Sequence, residues 1–256
     1  MPDLWSWNNW IDEAGSTPSG PSATDFPVGN LADSRMGRIW RSSMVGDNAT
    51  FGFPGPRPVG VIAAFGGDMR GGDTFFLRLS ANASGGWEML NTTVAPAINP
   101  LTRQWVVRPA DFGLPATVQV ARIQVSPKRG RELGRLWCGA ADWEPRTTHV
   151  FGAEFGVIDY GTRAVAPRSG AVLPSPGAKL RSAMVKYDGL FWDEVEGPAR
   201  DIALFCGATR QILFVPNDQV YSRESAATLG YLDELNPIIV AGWGRGERQF
   251  RIVESG

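Results

Sequence analysis

The chain of 256 residues has room for one large β domain or two of ordinary size, at roughly 100 to 200 residues each. Hydrophobic residues supply 43% of it, enough for a core, while 31 Gly and 19 Pro require many turns between short strands and favour an all-β class over a helical one. The 25 basic and 26 acidic side chains are spread along the sequence, so the net charge of -1 excludes the field that holds a nucleic-acid backbone by counterion release.

The opening residues lack a basic stretch followed by an apolar one, and apolar runs such as 59–65 and 237–242 fall short of the ~18 residues that cross a bilayer. Neither a signal peptide nor a membrane span is expected. Trp5, Trp7 and Trp10 anchor an extended start, and the Gly/Ser/Pro/Thr-rich stretch 15–29 cannot propagate a helix and wraps as loop. Residues 49–53, 59–65 and 74–80 then predict separate strands, each bounded by Pro or Gly. After a loop through 92–102, strand signals return at 104–108, 117–125 and 132–139, with 127–130 as the turn of the last hairpin. Polar and apolar residues do not alternate strictly through Val118, Val120 and Arg122, the pattern of a central strand covered on both faces.

Past Trp143, Glu144 and Pro145 the composition shifts to Gly-spaced segments at 150–159 and 179–186, around a Pro/Ser/Gly loop at 166–177. This places a boundary near residue 146 and divides the chain into 1–146 and 147–256. One helix is expected, at 198–205: Pro198 suits a first helical position, Asp201 sits in the early turns and Gly207 supplies a stop. Strands at 212–215, 226–232, 238–243 and 250–253 complete a mainly β chain of two units, the second carrying that short helix.

Two blocks carry a resemblance. Asn30-Leu31-Ala32-Asp33, then Trp40-Arg41-Ser42, 49–53 and 57–63 are similar, in this order, to discoidin-like (galactose-binding-like) jelly rolls. Arg122-Ile123-Gln124-Val125, Glu132-Leu133-Gly134-Arg135-Leu136-Trp137-Cys138-Gly139 and Trp143-Glu144-Pro145 look like the closing strands of jelly rolls in tail-tip proteins of long-tailed phages. The segments 190–205 and 211–216 also resemble the downstream part of such proteins. The resemblance implies an N-terminal discoidin-like jelly-roll sandwich and a C-terminal tail-assembly unit. It further implies a non-enzymatic tail-tip or baseplate component of the virion, assembled in the host cytoplasm with other tail proteins and copies of itself in a threefold or sixfold ring, and touching host-surface glycans. A free-standing carbohydrate-binding module and a tail-associated glycan-cleaving enzyme are the alternatives. Sugar-binding relatives often hold a cation in a carboxylate-rich loop, whereas Asp33 is the only acidic residue between Phe26 and Val45, so the resemblance does not bring a metal with it.

The remaining candidates come from side-chain chemistry. Cys138 and Cys206 form no Cys-x-x-Cys pair, so neither a disulfide scaffold nor a structural zinc is expected, and no cofactor is indicated. Asn48, Asn82 and Asn91 open Asn-x-Ser/Thr triplets, which mark polar turns. His149 is the only histidine and would have to serve any Ser-His or Cys-His mechanism, but its neighbours offer no nucleophile. Asp193, Glu194 and Glu196 are the densest acidic run; paired carboxylates cleave glycosidic bonds, yet acids before a helix start also oppose its dipole. Residues 242–246 look like a phosphate loop but lack its Lys-Ser/Thr ending, which leaves a tight turn. Among the tryptophans, Trp40, Trp105 and Trp137 read as core. Trp87, next to Glu88 in a Gly-rich loop, is the candidate for an exposed ring that stacks on sugar, joined at the same end of the jelly roll by Asp68, Arg70 and Asp73. Lys128, Arg129 and Arg131 form a basic turn suited to contact with a neighbouring subunit.

Overall fold

The structure is a computed structural model and describes residues 2–35, 37–44, 46–84, 86–95, 98, 103–128, 132–147, 154–165, 172–175, 177–216, 226–234, 239–240 and 244–255. The chain packs as two compact units, one of Met1–Glu144 with Phe214–Ala227, the other of Pro145–Leu213 with Thr228–Gly256.

The first unit contains β1 (Leu4–Ser6), β2 (Thr17–Ser19), β3 (Trp40–Arg41), β4 (Ala49–Val59), β5 (Val61–Gly67), β6 (Phe75–Ser80), β7 (Leu90–Val94), β8 (Gln104–Val107), β9 (Val118–Pro127) and β10 (Glu132–Gly139). Two antiparallel sheets form, β2-β4-β9-β6-β7 and β3-β10-β5-β8. Alternation decides what goes between them. Ala49, Phe51 and Phe53 of β4 and Phe75, Leu77 and Leu79 of β6 join Ile62 and Ala64 of β5, Leu136 and Cys138 of β10 and Trp105 and Val107 of β8 in one apolar core. This is the expected jelly-roll sandwich, and Trp40, Trp105 and Trp137 are buried as expected. Phe75 and Trp105 meet across the core with ring centres 5.2 Å apart.

Three local details refine the expected strands. The irregular alternation in 117–125 comes from a bulge: register shifts between Gly52 opposite Arg122 and Arg57 opposite Val120, so Val118 and Val120 face inward, then Ile123 and Val125. As expected, β9 is the central strand of its sheet and is buried on both faces except at Gln119 and Arg122, and β5 and β10 are likewise covered on both faces. Here the N-terminal segment lies over β10: Trp137 donates its indole N–H to Ser6 (3.0 Å), and the Asn9 side-chain oxygen accepts from Cys138 N (2.9 Å). Second, β4 runs on to Val59 through Pro54 and Pro56, tolerated because the ladder is interrupted there, and through Pro58, which stands opposite Gln119. Third, β7 lies where a loop is expected, because Asn91 and Thr93 face outward and hide its strand pattern.

Two charged groups hold the N-terminal wrap. Arg135, 1% exposed, pairs with Asp12 and donates to Leu31 O, which ties β10 to the helical turns Trp10–Asp12 and Val28–Ala32. Asp142 accepts from the backbone N–H groups of Trp7 and Asn8 and from the Asn8 side chain, while burial pushes its pKa up. The returning segment Phe214–Ala227 belongs to this unit by contact: Phe214 packs on Trp5 at 4.6 Å, and Gln104 donates to Ala227 O at 2.8 Å.

The second unit holds β11 (Glu154–Asp159), β12 (Thr162–Val165), β13 (Val172–Ser175) and β14 (Lys179–Phe191). The chain then continues through α1 (Trp192–Glu196), α2 (Pro198–Asp201), β15 (Ile212–Val215), β16 (Thr228–Glu234), β17 (Ile239–Val240) and β18 (Arg245–Glu254). Its sheet runs β16-β18-β14-β11, with β17 also on β18, while β12 and β13 pair as a separate hairpin. Ala183, Val185 and Tyr187 of β14 and Phe250 and Ile252 of β18 are its buried face. The helical stretch starts before the expected 198, as α1; Gly197 interrupts it, Pro198 opens α2, and a π turn follows at Ile202–Cys206.

The β5–β10 ladder offers a sharp test of this packing. A Cβ on Gly134 would lie 2.2 Å from the Phe65 carbonyl oxygen, whereas Gly71 has nothing within 4 Å. Gly134→Ala is expected to cost about 3 kcal/mol in urea unfolding, and Gly71→Ala close to nothing.

Candidate functional site

At the exit of β5, residues 66–73 turn back toward β6. Gly66, Gly67 and Gly72 adopt positive φ (74°, 85° and 83°), and a Cβ on Gly67 would fall 2.4 Å from Glu132 O, so the turn needs glycine to press against β10. Two carboxylates then fix it. Asp68 accepts from Glu132 N at 3.1 Å, and buried Asp73 accepts from Arg70 N at 2.8 Å. Met69, 3% exposed, roots the loop in the core. Arg103 enters from the start of β8 with φ 49°, a left-handed conformation rare for a side-chain-bearing residue. Its carbonyl accepts from Gly66 N (2.9 Å) and its guanidinium donates to Gly67 O (2.8 Å). Asp68, Met69, Arg70, Gly71 and Arg103 together line a cavity of about 200 Å³.

The predicted glycan residues are thus divided. Asp68 and Arg70 line the cavity, and Asp73 supports it from beneath. Trp87 and Glu88 follow the far end of β6, a strand of 6 residues that separates them from the 66–73 loop by roughly 20 Å. Their expected position at one end therefore fails, because a loop entering a strand and a loop leaving it lie at opposite ends. Trp87 is half-buried and lies on Arg122, whose guanidinium carbon is 4.0 Å from the ring centre. Glu88 closes its own loop, accepting from Ser80, Ala81 N and Asn82; hydrogen bonds from its own N–H and from these groups lower its pKa. Arg103 went unmarked in the sequence, since nothing local links it to residue 68. Lys128 is exposed, its N–H bonded to Thr74 O beside the same loop, while Arg129, Arg131 and His149 lie outside the described residues, as does Trp243.

The acidic run takes structural positions. Asp193 pairs with Arg146. Glu194 is buried and accepts from Arg146 N and Phe191 N, and Glu196 pairs with Arg200 one turn on. These carboxylates begin and brace α1 rather than standing before the helix. Among the described residues no set of three His, Cys, Asp or Glu side chains could hold a metal ion. In the 30–40 loop, Asn30 donates to Ile39 O at 2.8 Å and Asp33 is clamped by Arg35 and Arg38.

In sequence, no family model and no curated protein matches the chain. Similar solved structures are each matched over 52% of this chain. SpGH29 is 15% identical with a TM-score of 0.37, and the chain spans only 28% of it. The family 32 carbohydrate-binding module of Clostridium perfringens NanJ, solved with galactose, is 13% identical over 96% of its length, with a TM-score of 0.38. Chitosan-binding module 1 of a Paenibacillus sp. IK-5 chitosanase/glucanase is 9% identical over 98%, with a TM-score of 0.39.

The Asp33 clamp yields a pH prediction. Hydrogen bonding to Arg35 is the main force holding the Asp33 carboxyl below the ordinary range, so its stabilisation is complete above that range and is lost as pH falls through it. The melting-temperature gap between the wild type and Asp33→Asn should be full at neutral pH and shrink steadily below about pH 4.

Proposed function

We propose that the first unit is a non-catalytic carbohydrate-binding module that takes a single sugar unit in the cavity between Asp68, Arg70 and Arg103. The cavity itself carries this reading. Its volume of about 200 Å³ lies below the roughly 300 to 1,000 Å³ of sites for drug-sized ligands, which suits one sugar ring. Its rim offers both bonding roles that vicinal hydroxyls require: a carboxylate that accepts and two guanidinium groups that donate in a planar fork. The wall is held by three positive-φ glycines and two carboxylate-to-backbone bonds, so little is lost in ordering it on binding. The carboxylates that could flank a glycosidic bond are instead committed to α1, which favours binding without cleavage.

A blocking variant tests it. Gly71 lines the cavity and has open space around its Cβ position, so Gly71→Trp should fold normally and fill the site. In a glycan array and NMR titration of the whole chain, the wild type is expected to bind and Gly71→Trp to lose at least tenfold in affinity, while Trp87→Ala at the far end binds normally. Undiminished binding by Gly71→Trp would reject the cavity.

A second reading, self-assembly through the second unit, has one observation in its favour. Phe155 and Val157 are 42% and 64% exposed on β11, which ends the described sheet, and an apolar edge strand is a place where a further chain pairs. Copies meeting there in a ring would sediment as an oligomer that Phe155→Glu with Val157→Lys disperses; a wild type that stays monomeric at high concentration removes this reading.

A further inference from the structure

Resting on the glycan reading of the same cavity, we infer that its ligand is an acidic sugar, one whose ring carries a carboxylate. The balance of charge around the site leads there. Its carboxylates are tied to the fold, and among the described residues none is paired with Arg70 or Arg103. Asp68 accepts from Glu132 N, Asp73 is buried beneath the loop with Arg70 N as donor, and the carboxylate of Glu132 is bound by Arg41 through both Nε and Nη2.

The positive groups face the other way. Arg70 is exposed, and its guanidinium has no hydrogen-bond or ion-pair partner among the described residues. Arg103 is held over the cavity by its left-handed backbone and by the bond its guanidinium donates to the neutral Gly67 carbonyl, and it forms no ion pair with a carboxylate among the described residues. The exposed Lys128 adds a third positive charge beside the loop, at the junction of β9 with Thr74.

A neutral sugar would fill such a cavity but give the two guanidinium groups only uncharged acceptors. A ring-borne carboxylate gives them a charged acceptor, and the planar guanidinium fork matches its two oxygens. The ring supplies the hydroxyls that Asp68 accepts from, so anion and sugar are recognised by different walls of one cavity.

Calorimetric titration of the whole chain with galactose, galacturonic acid and acetate, at low and raised salt, separates the possibilities. Galacturonic acid is expected to bind at least tenfold more tightly than galactose, with the advantage shrinking as salt screens the charge. Arg70→Gln combined with Arg103→Asn, whose asparagine tolerates the left-handed backbone, should bring galacturonic acid down to the level of galactose while unfolding as the wild type does. Equal affinity for the two sugars overturns the acidic preference and leaves the glycan reading standing. A preference that survives the double substitution overturns its assignment to these arginines. Acetate binding as tightly as galacturonic acid makes the site an anion site and overturns the sugar reading with it, and so does binding by none of the three.

Discussion

Two backbones pass so close at the end of β5 and the start of β10 that only hydrogen fits between them. Gly134 meets the Phe65 carbonyl and Gly67 meets the Glu132 carbonyl, each at a distance no Cβ could occupy. Most of what matters in the first unit follows from that contact. It sets the register in which Leu133 faces Gly67 and Trp137 faces Ala63, and so which side chains of both strands enter the core. It also sets the direction in which the chain leaves β5, because a turn pressed against β10 must use the left-handed conformations of Gly66 and Gly67. The cavity is the space left by that exit, and its chemistry is decided by which residues the tight turn carries outward.

Much of the jelly roll is legible in the sequence because period-two alternation survives wherever one face of a strand meets the core and the other meets water, as in β6. It fails for physical reasons at particular places. The strand β7 is masked by the outward Asn91 and Thr93, and Pro54 and Pro56 hide the continuation of β4, where four residues stand against the single Ala121 of β9. The helical stretch around Pro198 is visible, but its earlier start depends on Glu194 capping through Arg146 and Phe191, a tertiary arrangement that no local pattern announces.

The site was half legible. Asp68 and Arg70 stand out because charged residues in a Gly-rich turn at a strand end have few structural duties. Arg103 could not be found, since its place beside residue 68 comes only from the pairing of β8 with β5. Trp87 was the more conspicuous residue and drew attention to the wrong end of β6. Its ring is engaged by Arg122 from the neighbouring strand, and an indole flanked by glycines looks the same in sequence whether it awaits a sugar or an arginine.

The proline-bearing half of β4 has a consequence for how molecules of this protein can meet. Its partner β2 pairs only with Thr50, Phe51 and Gly52, and beyond that point the N-terminal segment meets it through side chains, the Trp10 indole donating to Pro58 O at 2.6 Å and Glu13 pairing with Arg57. Pro54, Pro56 and Pro58 have no amide N–H to offer along this stretch. An incoming strand would find no donor at the prolines, which opposes extension of the sandwich there into a continuous sheet. A missing backbone donor is thus what keeps identical chains from adding strand to strand along this part of the sandwich.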